Sequence, residues 1–83
     1  MRFFLKILTA EATLLQDQVE SVRVPAIDGV CELLPNHAPI FIALTSGEIS
    51  VTQAGEVEQW SIDGGACHME DNICTIMVVN VIE

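Results

Sequence analysis

The sequence predicts an all-β fold, a sandwich or barrel of short strands, on three observations. Apolar residues alternate with polar ones in short pieces, turn residues separate the pieces, and a helix competes with a strand at one segment only. The chain has 83 residues. A chain of this size buries only about 60% of its unfolded surface, too little for two cores, so residues 1–83 are read as a single sheet-based domain.

The first strand is read over Phe3 to Leu8, where Lys6 interrupts an apolar run too short for a signal-peptide core. Thr9 to Asp17 fits one helical turn or an irregular edge strand, and the edge strand is the expectation. Val19 to Val24 follows, ending at Pro25, with Val22 and Val24 toward the core and Ser21 and Arg23 outward. Asp28-Gly29 reads as a tight turn, and Val30 to Leu34 returns to the sheet. Beyond a corner at Pro35–Pro39, Ile40 to Leu44 reads as a buried strand. Ser46-Gly47 is expected to turn the chain into Glu48 to Thr52, with Ile49 and Val51 inward. Ala54-Gly55-Glu56 reads as a hairpin loop leading into Val57 to Ile62. Asp63-Gly64-Gly65 is expected to break that strand, as a bulge or a close backbone approach. Cys67 and Met69 then face inward, and His68 and Glu70 outward. After a turn at Asp71-Asn72, the nearly continuous apolar run Ile73 to Ile82 is expected to form a central strand covered on both faces.

The corner Leu34-Pro35-Asn36-His37-Ala38-Pro39 is the most informative stretch. Each proline fixes its own φ and drives the residue before it toward extended geometry, so the segment is a rigid, non-helical corner with His37 at its tip. Two readings of His37 stand: a partner contact presented on a rigid loop, and a ring that bonds backbone inside the corner. Nothing in the sequence sets Cys31 or a serine beside it as a nucleophile.

The other chemistry-bearing residues point away from catalysis. Cys31, Cys67 and Cys74 are odd in number and lack Cys-x-x-Cys spacing, which suggests neither a disulfide framework nor a thiolate metal site and fits a reducing compartment. Adjacent strand residues point to opposite faces, so Cys67 and His68 do not converge on one ion, and the cysteines read as buried, inert thiols. Glu48, Glu56, Glu58, Glu70 and Asp71 fall mostly at strand ends and turns, as a solvated face. No glycine-rich loop leads into a helix to cradle phosphate. No apolar run approaches the roughly 18 residues of a transmembrane helix. The formal net charge is −9, and residues 24 to 83 carry nine acids without a lysine or arginine. Such a surface repels phosphate backbones and anionic lipid, which argues against nucleic acid and for a partly basic protein partner.

Taken together, Pro25, Gly29, Leu33-Leu34-Pro35, His37-Ala38-Pro39, Leu44, Gly47 and Gly64-Gly65 resemble the N-terminal β-sandwich domain of the epsilon subunit of F-type ATP synthases, the delta subunit in mitochondria. That family reads Pro-Gly-x-x-Gly, then Gly-Ile-Leu-Pro-Gly-His-Ala-Pro-Leu, then a later Gly-Gly pair before an aliphatic strand. The opening from Leu8 to Pro25 falls into the same register, so the resemblance spans nearly the whole chain. Ala26, Glu32 and Asn36 replace glycines of the pattern, Val30 stands where an acid is common, and Ala66-Cys67-His68-Met69 is an unusual version of its strand. The two-helix hairpin that continues family members, and that binds ATP or inhibits hydrolysis in some, has no counterpart in these residues.

The resemblance implies that residues 1–83 are a single two-sheet β-sandwich domain of about 8–10 short strands without a C-terminal helical domain, and that the chain is a non-catalytic central-stalk (rotor) subunit of a proton- or sodium-translocating synthase, linking the gamma subunit to the membrane rotor ring of c subunits. It implies no cofactor and no metal. The subunit would be peripheral, on the cytoplasmic side of an energy-transducing membrane such as a bacterial inner membrane, touching the membrane only through the complex. Leu34, Asn36, His37 and Pro39 are the expected ring-end contacts, with Asp28 and Glu32 as secondary candidates. Two rival readings remain: a free-standing β-sandwich interaction module unrelated to rotary motors, and a cupin-like metal enzyme, for which two histidines are too few.

Overall fold

The computed structural model describes residues 1–82, which form eight strands and no helix. They are β1 (Phe3–Leu8), β2 (Thr13–Val19), β3 (Ser21–Ala26), β4 (Gly29–Leu33), β5 (Ile40–Gln53), β6 (Glu56–Glu70), β7 (Ile73–Val78) and β8 (Val81–Ile82). Hydrogen bonding runs in the order β2-β1-β7-β6-β5-β3-β4, with β8 on β6. All pairs are antiparallel except β1 with β7.

Alternation of apolar residues builds the core. Phe3, Leu5 and Ile7 of β1 are fully buried while Phe4, Lys6 and Leu8 between them are half-buried. Val22 and Val24, Ile49 and Val51, and Cys67 and Met69 likewise point inward, as their spacing predicts. These side chains belong to one contiguous cluster with no buried polar or charged residue among those described. Burying each large aliphatic side chain stabilises the fold by roughly 1.5–3 kcal/mol.

Two of the eight strands are long because β5 and β6 serve both layers. Residues 65–70 of β6 pair with β7, whereas Ser61 and Ile62 pair with β8. The β5–β6 ladder nevertheless keeps one register from Ile40↔Met69 to Gln53↔Glu56. Ser46-Gly47 therefore makes no turn, and Asp63-Gly64-Gly65 does not break β6, contrary to the sequence expectation. The two segments face each other across the ladder, with Ser46 opposite Asp63 and Leu44 opposite Gly65, and they bend the hairpin as a unit. Across this bend the inward positions change from Ile42 and Leu44 to Ile49 and Val51 in β5. In β6 they change from Ile62 to Cys67 and Met69.

The glycines are needed for contact. A β-carbon at Gly47 would come within 2.7 Å of the Pro25 β-carbon, and one at Gly65 would overlap the Met77 carbonyl oxygen. Pro25 itself sits where the β3–β5 pairing is interrupted between Arg23 and Ala26, so its missing N–H costs no ladder bond to β5.

Further expectations change as well. Val19 to Val24 is two strands that meet at Glu20, whose N–H donates to the Thr52 carbonyl at 2.9 Å. The turn after β3 falls on Ile27-Asp28, and Gly29 already opens β4. The run Ile73 to Ile82 divides at Val79-Asn80, and although β7 is central, only one of its faces is covered. Ile73 is 51% exposed and Met77 is 56% exposed, because no second layer covers that side among the described residues. The edge strand expected over Thr9 to Asp17 runs Thr13–Val19 instead, because Thr9 to Ala12 form a bend in which the Thr9 N–H donates to the Ala12 carbonyl at 2.8 Å.

Candidate functional site

The corner between β4 and β5 is held by its two prolines and by one distant side chain. Pro35 and Asn36 form its turn, and Asn36 adopts φ 64°, in the left-handed region that asparagine tolerates better than most residues. The Asn36 N–H donates to Asn72 Oδ1 at 2.7 Å. Asn72 Nδ2 donates to the Arg2 carbonyl at 3.0 Å, and the Asn72 carbonyl accepts from the Phe4 N–H at 3.1 Å. Asn72 thus ties together the corner, the β6–β7 turn and the start of β1. It was read from the sequence only as a turn residue. Its link to Asn36 lies 36 residues away in the chain, where local spacing carries no signal.

His37 is half-buried, and its Nδ1 lies 2.7 Å from the Ala38 carbonyl oxygen. That contact sets Nδ1 as the donor and leaves the lone pair of the neutral ring on Nε2. The backbone-bonding reading of this ring is therefore realised, within a corner whose other members stay accessible: Leu34 is 51% exposed, and Asn36 and Pro39 are exposed too.

The six candidate residues do not form one cluster. Asp28 precedes β4 and Leu34 follows it, so at about 3.3 Å per residue they stand roughly 20 Å apart along the strand. β4 ends the hydrogen-bonded order, so the Ile27-Asp28 turn, β4 and the corner lie along one sheet edge. Glu32 faces its cross-strand partner Arg23, with Oε2 at 3.7 Å from Nε, an exposed pair worth little in stability. Beside Asp28 an open groove of about 500 Å³ is lined by Ile27, Val30, Cys31 and Phe41, three of which are more than 70% exposed.

Among the described residues, no three of the His, Cys, Asp or Glu side chains gather as metal ligands would. Cys67 is buried and His68 exposed on opposite faces, with His68 Nε2 3.5 Å from Glu70. One convergence escaped the sequence reading: the fully buried Cys67 and Cys74 lie with their sulfurs 3.6 Å apart. The signal was present, since a hairpin turning at Asp71-Asn72 puts both on one face.

Known proteins share this body. The family model described as "ATP synthase, Delta/Epsilon chain, beta-sandwich domain" matches residues 2–83. An ATP synthase epsilon chain of Chloroflexus aggregans is 35% identical over 81 residues, covering 98% of this chain and 58% of that protein. One from Roseiflexus is 35% identical over 77 residues, covering 93% of this chain and 55% of the other. The chain thus spans little more than half the length of these relatives. A chain in the Euglena gracilis mitochondrial ATP synthase (OSCP/F1/c-ring) superposes with a TM-score of 0.92 at 23% identity, covering 98% of this chain and 52% of that one. Another, in the central stalk and c-ring of the Tetrahymena thermophila mitochondrial ATP synthase, gives 0.85 at 16% identity, covering 100% and 67%. At these identities the two structures show the shared fold alone.

Proposed function

The chain belongs to the β-sandwich family of ATP synthase delta and epsilon chains, and from that membership we propose that it is a non-catalytic central-stalk subunit of an F-type ATP synthase. In this role it links the gamma subunit to the membrane rotor ring and helps couple rotation to ATP synthesis. It works peripherally, on the cytoplasmic side of a bacterial inner membrane, and meets the membrane through the complex. The observation that carries the reading is the family match over residues 2–83.

The physical properties agree with that role. Transmitting torque requires a stiff body and rigid contact loops, and the two-layer core with its proline-bracketed corner supplies both. Leu34, Asn36, His37 and Pro39 form the ring-facing contact. Asp28 extends that contact along the β4 edge, and Glu32, engaged by Arg23, contributes least. A body with no lysine or arginine after Arg23 suits a basic partner surface.

The test combines pull-down with the cognate gamma subunit and reassembly onto membrane rotor rings. The chain is expected to bind gamma. His37→Ala is expected to keep its circular dichroism spectrum and gamma binding, and to weaken attachment to the ring about tenfold, or about 1.4 kcal/mol. Unchanged attachment removes His37 from the contact, and no binding to gamma by the folded chain overturns the reading.

A further inference from the structure

Cys67 on β6 is the cross-strand partner of Ile76, and Cys74 on β7 that of Met69. The two cysteines are therefore diagonal neighbours on the same face of the hairpin. Both are fully buried, and their sulfurs are 3.6 Å apart, against about 2.05 Å for a bonded pair. The third cysteine, Cys31, is on β4 and half-buried. The hairpin that carries the pair turns at Asp71-Asn72, and Asn72 is the residue that holds the Asn36 amide.

We propose that Cys67 and Cys74 form a dithiol that hydrogen peroxide closes into a core disulfide, stapling β6 to β7 beneath the turn that anchors the Leu34–Pro39 corner. Peroxide, a very small two-electron oxidant, reaches this fully buried pair through local opening of the β6–β7 hairpin. The Cys67 thiolate attacks one peroxide oxygen and the O–O bond breaks. The departing hydroxide takes up the proton that Cys67 had released, leaving a sulfenic acid and one water. The Cys74 sulfur then attacks the Cys67 sulfur, the S–O bond breaks, and the hydroxide leaves as water with the Cys74 thiol proton. Two thiols and one peroxide thus yield one disulfide and two waters. The order of events follows the thiol–thiol contact: a hydrogen bond from Cys74 holds Cys67 below the ordinary thiol range, and the same bond, with burial, pushes Cys74 up.

The test uses the folded chain and its Cys31→Ser variant, treated with hydrogen peroxide, quenched, unfolded and alkylated. The expected result is a product lighter by two hydrogen masses before alkylation, with the Cys67 and Cys74 peptides linked and resistant to alkylation, in both proteins. Cys74→Ser is expected to give oxygen adducts in place of that product. Hydrogen exchange at the Asn36 amide is expected to slow several-fold on oxidation. Full alkylation of both thiols after peroxide, oxygen adducts without linkage in the parent chain, or an Asn36 amide indifferent to the disulfide overturns the proposal.

Discussion

Asn36 shows how one residue carries both conformation and contact. Its φ of 64° is a backbone state that glycine adopts freely and asparagine tolerates, so the asparagine here makes the turn without a glycine. The corner was legible because Pro35 and Pro39 constrain φ locally. Asn72's grip on it was not, because that bond depends on tertiary folding. Asp17 offers a residue-level test of the electrostatics. The Gln18 N–H at 2.7 Å, then the Gln53 amide and the charge on Arg2, hold its carboxyl below its ordinary value of 3.8. A carboxyl lowered on folding stabilises the fold above its unfolded value, and that contribution is lost as pH falls through the folded one. Asp17→Asn is therefore expected to be less stable than the parent at neutral pH, the gap closing below pH 3.8. Urea midpoints measured across the acid range check this, and a gap that persists in strong acid refutes the assignment.

Among the elements, the shared bend of β5 and β6 decides the architecture. Gly65 lies so close to the Met77 carbonyl that any β-carbon must displace β7, and its φ of 154° adds strain for a larger residue. Gly65→Ala is expected to destabilise the fold by about 3 kcal/mol, within the range for overpacking plus backbone strain. A change under half that size in urea unfolding would mean that the two strands separate easily there. Glycine-rich segments at Ser46-Gly47 and Asp63-Gly65 look like turns because turns and bends use the same residues. What distinguishes them is pairing. Both segments are nearly equidistant from the Ala54-Gly55 turn, so a straight hairpin register sets them opposite each other. The same reasoning from Asp71-Asn72 brings Cys67 and Cys74 to one face. Apolar content misled at Ile73–Ile82, where side chains that read as doubly buried lie on an uncovered sheet face, and at Ile40–Leu44, which reads as buried although Phe41 is 72% exposed and only Ile42 and Leu44 are buried.

For the whole molecule, charge bears on the proposed partner. Every lysine and arginine lies in the first 23 residues, and the last of them, Arg23, is already engaged by Glu32. The rest of the surface offers carboxylates and apolar side chains such as Phe41, 72% exposed, and Val30, 74% exposed. Association with a basic partner should then weaken as salt screens the attraction, while apolar contacts persist. The most direct measurement is titration calorimetry of this chain against the cognate gamma subunit at low and at high salt. The account predicts an equimolar complex whose affinity falls, without vanishing, as salt rises. A folded chain that binds gamma at neither salt concentration would contradict it.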